Sequence, residues 1–170
     1  MSTAESARSS AVALSAALDD HLASVDELVV QPFPERDFDD VTGWGGPGHR
    51  VRVLGESEPF WEDDGTAWDA AHAELEAQLD AVAAVCTARW GEPRAVDLRP
   101  YLVAGCDGEA APEPLDSLSQ QTVWLRVWPL PDGERMLALS LGQADGELPL
   151  VLYAAVGHRS ALDAGGVGSS

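Results

Sequence analysis

Residues 66–90 read TAWDAAHAELEAQLDAVAAVCTARW, and this stretch decides the fold. Its large side chains recur every three or four residues, the spacing of one stripe on an amphipathic helix. The stripe consists of Trp68, His72, Leu75, Leu79, Val82, Cys86 and Trp90. Thr66 and Asp69 resemble a capping box at the start, while Gly91 and Pro93 are typical of a helix end. The pattern predicts a central helix over 66–90.

Length and composition indicate one domain with a real core. The chain has 170 residues, of which 45% are hydrophobic, and a formal net charge of -19. Binding to a phosphate backbone needs clustered basic residues, so this charge argues against direct nucleic-acid binding. All ten basic residues are arginines, and the absence of Lys, Asn and Ile suggests GC-rich bacterial coding.

The sequence gives no sign of export or of a membrane span. Residues 1–10 lack a basic region followed by an apolar run, and no run of eighteen apolar residues follows. Two cysteines, Cys86 and Cys106, are too few for a disulfide framework. We therefore expect a cytoplasmic protein without membrane contact.

Before the central helix, the sequence predicts a first helix, an acidic loop and a short strand. Apolar residues recur at helical spacing over 10–30, and two prolines follow at Pro32 and Pro34. Residues 35–48 are acidic and then glycine-rich, which predicts a loop, and 50–54 alternate as a half-exposed strand does. Residues 1–9 are expected to be disordered.

After the central helix, we expect mainly β-structure. Residues 95–103 have strand character, and Pro100 among them indicates an edge strand. Residues 106–120 are expected to form a surface loop that contains a turn at 115–118. Region 121–157 predicts an antiparallel meander of three strands, at 122–128, 135–141 and 148–156, followed by a disordered tail over 158–170. The predicted fold is α+β: a mainly antiparallel sheet of about five strands, with helix 66–90 packed on one face and the N-terminal helix beside it.

Motifs for catalysis or cofactor binding are lacking. The glycines of 43–48 have no following Lys and Ser or Thr, as a phosphate-binding loop requires. The four histidines lack zinc-ligand spacing, and no serine or cysteine lies on a nucleophile motif. We expect no metal, no cofactor and, on balance, no catalytic activity.

Two tryptophans lie among carboxylates, in the loops that flank the first strand. Trp44 follows Asp37, Asp39 and Asp40, and Trp61 precedes Glu62, Asp63 and Asp64. Exposed aromatic residues often dominate protein interfaces, although each indole could instead cover an edge of the core. The leading hypothesis is a non-catalytic protein-binding module of the inhibitor, immunity or escort type, which uses these eight residues to engage a basic partner. The sequence leaves the oligomeric state open.

Two alternatives remain. The first is a small enzyme or small-molecule-binding domain with a pocket between helix and sheet, lined by Trp68, His72, Trp124, Arg126 and Trp128. The second is DNA mimicry, which would require carboxylates spaced like phosphates in three dimensions.

Overall fold

The computed structural model describes residues 3–61, 65–109 and 111–164. Helix α1 spans Thr3–Val30, and the long helix α2 spans Thr66–Trp90. The shorter helices α3, α4 and α5 span Arg99–Cys106, Leu115–Ser119 and Arg159–Ala164. Within the described residues the structure has seven strands: β1 Phe38–Asp40, β2 Gly43–Gly46, β3 His49–Glu56, β4 Arg94–Asp97, β5 Trp124–Pro129, β6 Arg135–Gly142 and β7 Val151–His158.

The seven strands form one antiparallel sheet in the order β1-β2-β3-β7-β6-β5-β4. The predicted α+β class is confirmed, but the expectation of about five strands is wrong. Strands β5, β6 and β7 form the meander that the turn residues predict. It supplies the middle of the sheet, where β7 is buried along most of its length.

Each face of the sheet carries its own apolar cluster. On one face, Val25 of α1 and Val82 of α2 are buried with Leu139 and Leu152 of the sheet. The other face buries Val51, Leu125 and Tyr153 against helix α4. Burial at about 25 cal/mol per Å2 of apolar surface makes these two clusters the main stabilising term of the fold.

Helix α2 has the predicted bounds, but its first turn differs from the expectation. Thr66 is the first helical residue, and the N-cap position is Gly65, which has φ +103° and no side chain that could accept from the helix N–H groups. Gly91 takes φ +93° at the other end, a value that favours glycine, and its N–H donates to the carbonyl of Thr87. The predicted Thr66–Asp69 capping box is therefore wrong.

The predicted acidic loop over 35–48 contains a hairpin. Strands β1 and β2 pair across Asp40–Gly43, and β2 pairs with β3 across Gly43–Arg52. Gly43 has φ +146°, and a Cβ there would lie 2.0 Å from the carbonyl oxygen of Val51. Glycine is needed because the backbones approach so closely, which is why this strand resembles a loop in sequence.

Three further segments differ from the predictions. Residues 99–106 form α3, with Pro100 in its first turn, where a missing N–H costs nothing, so the edge strand ends at Asp97. Leu115 and Leu118 of α4 are fully buried, so this segment covers the sheet. Helices occupy Thr3 onward and Arg159–Ala164, within the two segments expected to be disordered; residues 165–170 lie outside the described chain.

Among the described residues, no helix has the length and apolarity to cross a membrane.

Candidate functional site

Three segments lie at the same end of the sheet, and we call them together the acidic end: residues 39–42, 56–61 and 145–148. The second and third are joined directly by the Phe60 N–H, which donates to the Glu147 carbonyl, and the Ser57 N–H donates to the carbonyl of Leu150, two residues beyond the third segment. The β1–β2 turn lies alongside β3, where Val53 N–H donates to the Thr42 carbonyl. Glu56 follows Val53 by three residues, about 10 Å along the strand.

Every charged residue of the acidic end is a carboxylate, and every one is exposed: Asp39, Asp40, Glu56, Glu58, Asp145 and Glu147. Large apolar side chains lie exposed in the same segments. Val41 is 96% exposed and Trp61 is 62% exposed. Carboxylates around an exposed indole form a surface that suits a basic partner with an apolar contact.

The β1–β2 turn holds its charge in place by local hydrogen bonds. The Thr42 hydroxyl and the Thr42 N–H both donate to Oδ1 of Asp40. These bonds, the hydroxyl first, lower the pKa of the Asp40 carboxyl. Asp40 therefore stays ionised, and the Asx-type turn presents Val41 at its tip.

Trp44 does not lie in a loop. It belongs to β2, is half-buried, and its indole N–H donates to Oγ of Ser117 at 2.9 Å. Its ring meets the Tyr153 ring edge to face, with centroids 5.6 Å apart. These contacts make Trp44 a link between the hairpin and α4, whereas Trp61 remains open to solvent.

Of the remaining predicted partner-binding residues, Asp39 and Asp40 lie at the acidic end. Asp37 does not, because it precedes β1 at the opposite end of the hairpin. A Cβ on Gly46, which follows Trp44 by two residues, would lie 2.1 Å from Asp37 Oδ1. Glu62, Asp63 and Asp64 lie outside the described residues.

The predicted pocket between helix and sheet corresponds to two adjoining cavities, of about 250 and 170 Å3. Trp68, His72 and Trp124 line the first, and His72, Trp124 and Arg126 line the second. Trp128 belongs to neither. It is 0% exposed, and its indole N–H lies 3.3 Å from Oγ1 of Thr87 in the core.

Comparison with protein-family models, curated proteins and solved structures gives no match.

Cys86 and Ser140, two residues of types that serve as nucleophiles in enzymes, are both buried in the described structure. Burial raises the pKa of the Cys86 thiol to about 11, so it remains protonated at neutral pH. Ser140 is buried in β6, and its hydroxyl has no hydrogen-bond partner. Within residues 3–61, 65–109 and 111–164, no three His, Cys, Asp or Glu side chains are grouped to hold a metal ion.

Sequence reasoning missed the third segment of the acidic end. In the sequence, Asp145 and Gly146 indicate only a tight turn before the third strand of the meander, because nothing local shows that this turn meets residues 56–61. The pairing of β3 with β7 brings them together, through Glu56 opposite Val151. The acidic residues of the turn are visible in the sequence, but the strand order decides which residues lie next to them.

Proposed function

We propose that this chain is a non-catalytic protein-binding module that engages a basic partner protein through the acidic end. One observation carries the proposal: Trp61 is 62% exposed in a surface whose six exposed charged residues are all acidic. Opposite charges would speed encounter, and the indole would supply most of the affinity.

Part of the acidic charge elsewhere is paired, which supports the choice of this surface. Several carboxylates outside it are matched by arginine: Asp26 by Arg89 at 2.6 Å, Glu27 by Arg52 at 3.2 Å, and Asp80 by Arg126 at 2.9 Å. The acidic end contains no arginine to neutralise its carboxylates. Its negative electrostatic potential therefore extends into solvent, where it would attract a positively charged partner.

The test is capture of a partner from extract of the source cells, followed by direct binding of the purified partner. We expect an identified partner with a basic surface and a Kd that rises with salt. Trp61→Ala should weaken binding about 30-fold or more, in the range of an interface hot spot. The matched control is Val30→Ala, since Val30 is exposed at the C-terminal end of α1.

Charge is tested separately from the indole. The triple variant Asp39→Asn, Glu58→Gln and Glu147→Gln removes three exposed carboxylates of the acidic end. Its control removes three exposed carboxylates elsewhere: Glu35→Gln, Glu92→Gln and Glu134→Gln. The first variant should slow association and flatten the salt dependence more than the second. Equal effects of the two triples would show that net charge, and not this surface, governs binding.

The alternative of a small enzyme has less support. The residues that would act as its polar groups already contact one another: His72 Nδ1 lies 3.4 Å from Glu76, and Arg126 pairs with Asp80. The two hydroxyl side chains that line the cavities, Thr122 and Ser140, are both buried, and the Thr122 hydroxyl donates to the Leu141 carbonyl. The aromatic residues that line the two cavities, Trp68 and Trp124, are better explained as a binding surface.

A further inference from the structure

The two cavities between α2 and the sheet form one continuous depression, which we call the aromatic groove. They share His72, Trp124 and Leu141 in their linings. Trp68 lies parallel to the His72 ring, with centroids 4.8 Å apart and 19° between planes. Trp124 is 52% exposed, whereas Trp68 and His72 are half-buried, so Trp124 is the ring most accessible to an incoming ligand.

The groove is attached to the acidic end through Gln143. The Trp68 indole N–H donates to Gln143 Oε1 at 3.0 Å, and Gln143 Nε2 donates to the carbonyls of Gly146 and Leu148. Gly146 and Leu148 belong to the third segment of the acidic end. A ligand that covers this turn therefore continues directly into the groove.

The charges of the groove favour a cation. Glu76 and Arg126 line the groove, and Asp80, which lies outside its lining, offsets the Arg126 charge at 2.9 Å, so the Glu76 carboxylate is the charge left to face a ligand. The Trp124 ring already holds a guanidinium from outside the groove: Arg99 Cζ lies 5.4 Å from its centroid, and Arg99 is itself paired with Asp97. A cation over the face of an indole is attracted by the ring quadrupole.

We propose that the aromatic groove accepts an arginine side chain of the basic partner, between Trp124 and the Trp68–His72 stack, with Glu76 as the opposing charge. This rests on the proposed function, and it names the residue type that the partner must bring. Arginine fits better than lysine because its planar guanidinium stacks on aromatic rings and binds carboxylates with two parallel N–H groups.

The first experiment uses a small probe, N-acetyl-arginine amide, and follows the indole N–H signals of the 15N-labelled protein by NMR. We expect saturable shifts of the Trp68 and Trp124 signals, with a Kd of roughly 1–10 mM for one side chain. N-acetyl-citrulline amide has the same shape without the charge, and it should shift these signals at least fivefold less. Equal shifts with both probes would overturn the proposal. So would the absence of any shift up to the solubility limit of the arginine amide.

Variants separate the ring from the bulk of the side chain. Trp124→Leu should abolish the response to the arginine amide, while Trp124→Phe should retain part of it. Glu76→Gln should weaken binding severalfold. Trp124 is exposed, so these variants are expected to fold, and their urea midpoints check this. A full response in Trp124→Leu would place the probe elsewhere.

The second experiment links the groove to the partner. Trp124→Leu should weaken binding of the purified partner, as should replacement of the critical partner arginine by lysine. If Trp61→Ala weakens partner binding and Trp124→Leu does not, the groove assignment is wrong while the proposed function stands. If neither variant weakens binding and the amide still binds, the groove is a small-cation site, and both assignments to the partner fail.

Discussion

Trp44 and Trp61 offer a direct prediction, because the sequence places both in acidic loops and the structure gives them opposite roles. Replacing Trp44 by Ala removes a half-buried indole, a hydrogen bond to Ser117 and an edge-to-face contact with Tyr153. Full burial would make the truncation cost about 3–5 kcal/mol, so half-burial gives about 2. The hydrogen bond and the aromatic pair each add about 0.5–1.5 kcal/mol. We expect a total of about 4 kcal/mol.

Trp61→Ala should cost less than about 0.5 kcal/mol, since its side chain is 62% exposed. Urea unfolding measures both, with an unchanged slope m as the check on two-state behaviour. Trp44→Phe keeps most of the ring and loses the N–H, so it should cost about 1 kcal/mol. That cost should be largely absent when Ser117 is already Ala, which a double-mutant cycle with Trp44→Phe and Ser117→Ala measures. Equal destabilisation by Trp44→Ala and Trp61→Ala would refute the assignment.

Three further predictions concern the hairpin, the thiols and the acid limb of stability. Gly43→Ala should destabilise the protein by about 2 kcal/mol or more, because the new Cβ would meet the Val51 carbonyl. Gly146→Ala should be nearly neutral, because a Cβ there meets nothing within 4 Å. Thermal unfolding compares the two variants. In the native protein a thiol reagent should label the exposed Cys106 and spare Cys86, with both labelled in denaturant; rapid native labelling of Cys86 would contradict its burial. Arg135 and two backbone N–H groups hold the pKa of Asp132 at about 2, below its usual 3.8, so its contribution is present above about pH 4 and is lost as pH falls toward 2. Asp132→Asn should therefore destabilise at pH 7 by at most about 1 kcal/mol, as for a partly exposed pair, and much less near pH 2, by urea unfolding at both values.

The sequence was most informative where a single element carries all its own signals. Helix α2 has the predicted bounds, because its stripe, its glycine end and its following proline depend on nearby residues. The three strands of the meander were also predictable, since the turns at Pro131–Gly133 and Asp145–Gly146 lie between them. Such features need no knowledge of distant partners.

The sequence did not predict strand β2 or helix α3. Strand β2 reads GWGG, and a Cβ at Gly43 would clash with a carbonyl from another strand, so its glycines are required by pairing that the sequence does not show. Pro100 was read as a strand edge, although it fits equally well in the first turn of a helix. Short segments leave such choices to tertiary contacts.

The candidate site was predictable only in part. Trp61, Asp39 and Asp40 could be named from their acidic surroundings, but the same reasoning included Trp44, which the structure uses to join β2 to α4. The third acidic segment at 145–148 required the strand order. In the pocket alternative, alternation along β5 put Trp124 and Trp128 on one face, but α2 covers Trp128 and leaves Trp124 open.

The central claim is that the acidic end binds the partner. Amide hydrogen exchange of the complex with the purified partner tests it most directly, because it reports each segment without any mutation. We expect slowed exchange in residues 39–42, 56–61 and 145–148, with little change at the opposite end of the sheet, in 46–49 and 130–134. Protection confined to that opposite end, with unchanged exchange around Trp61, would contradict the account.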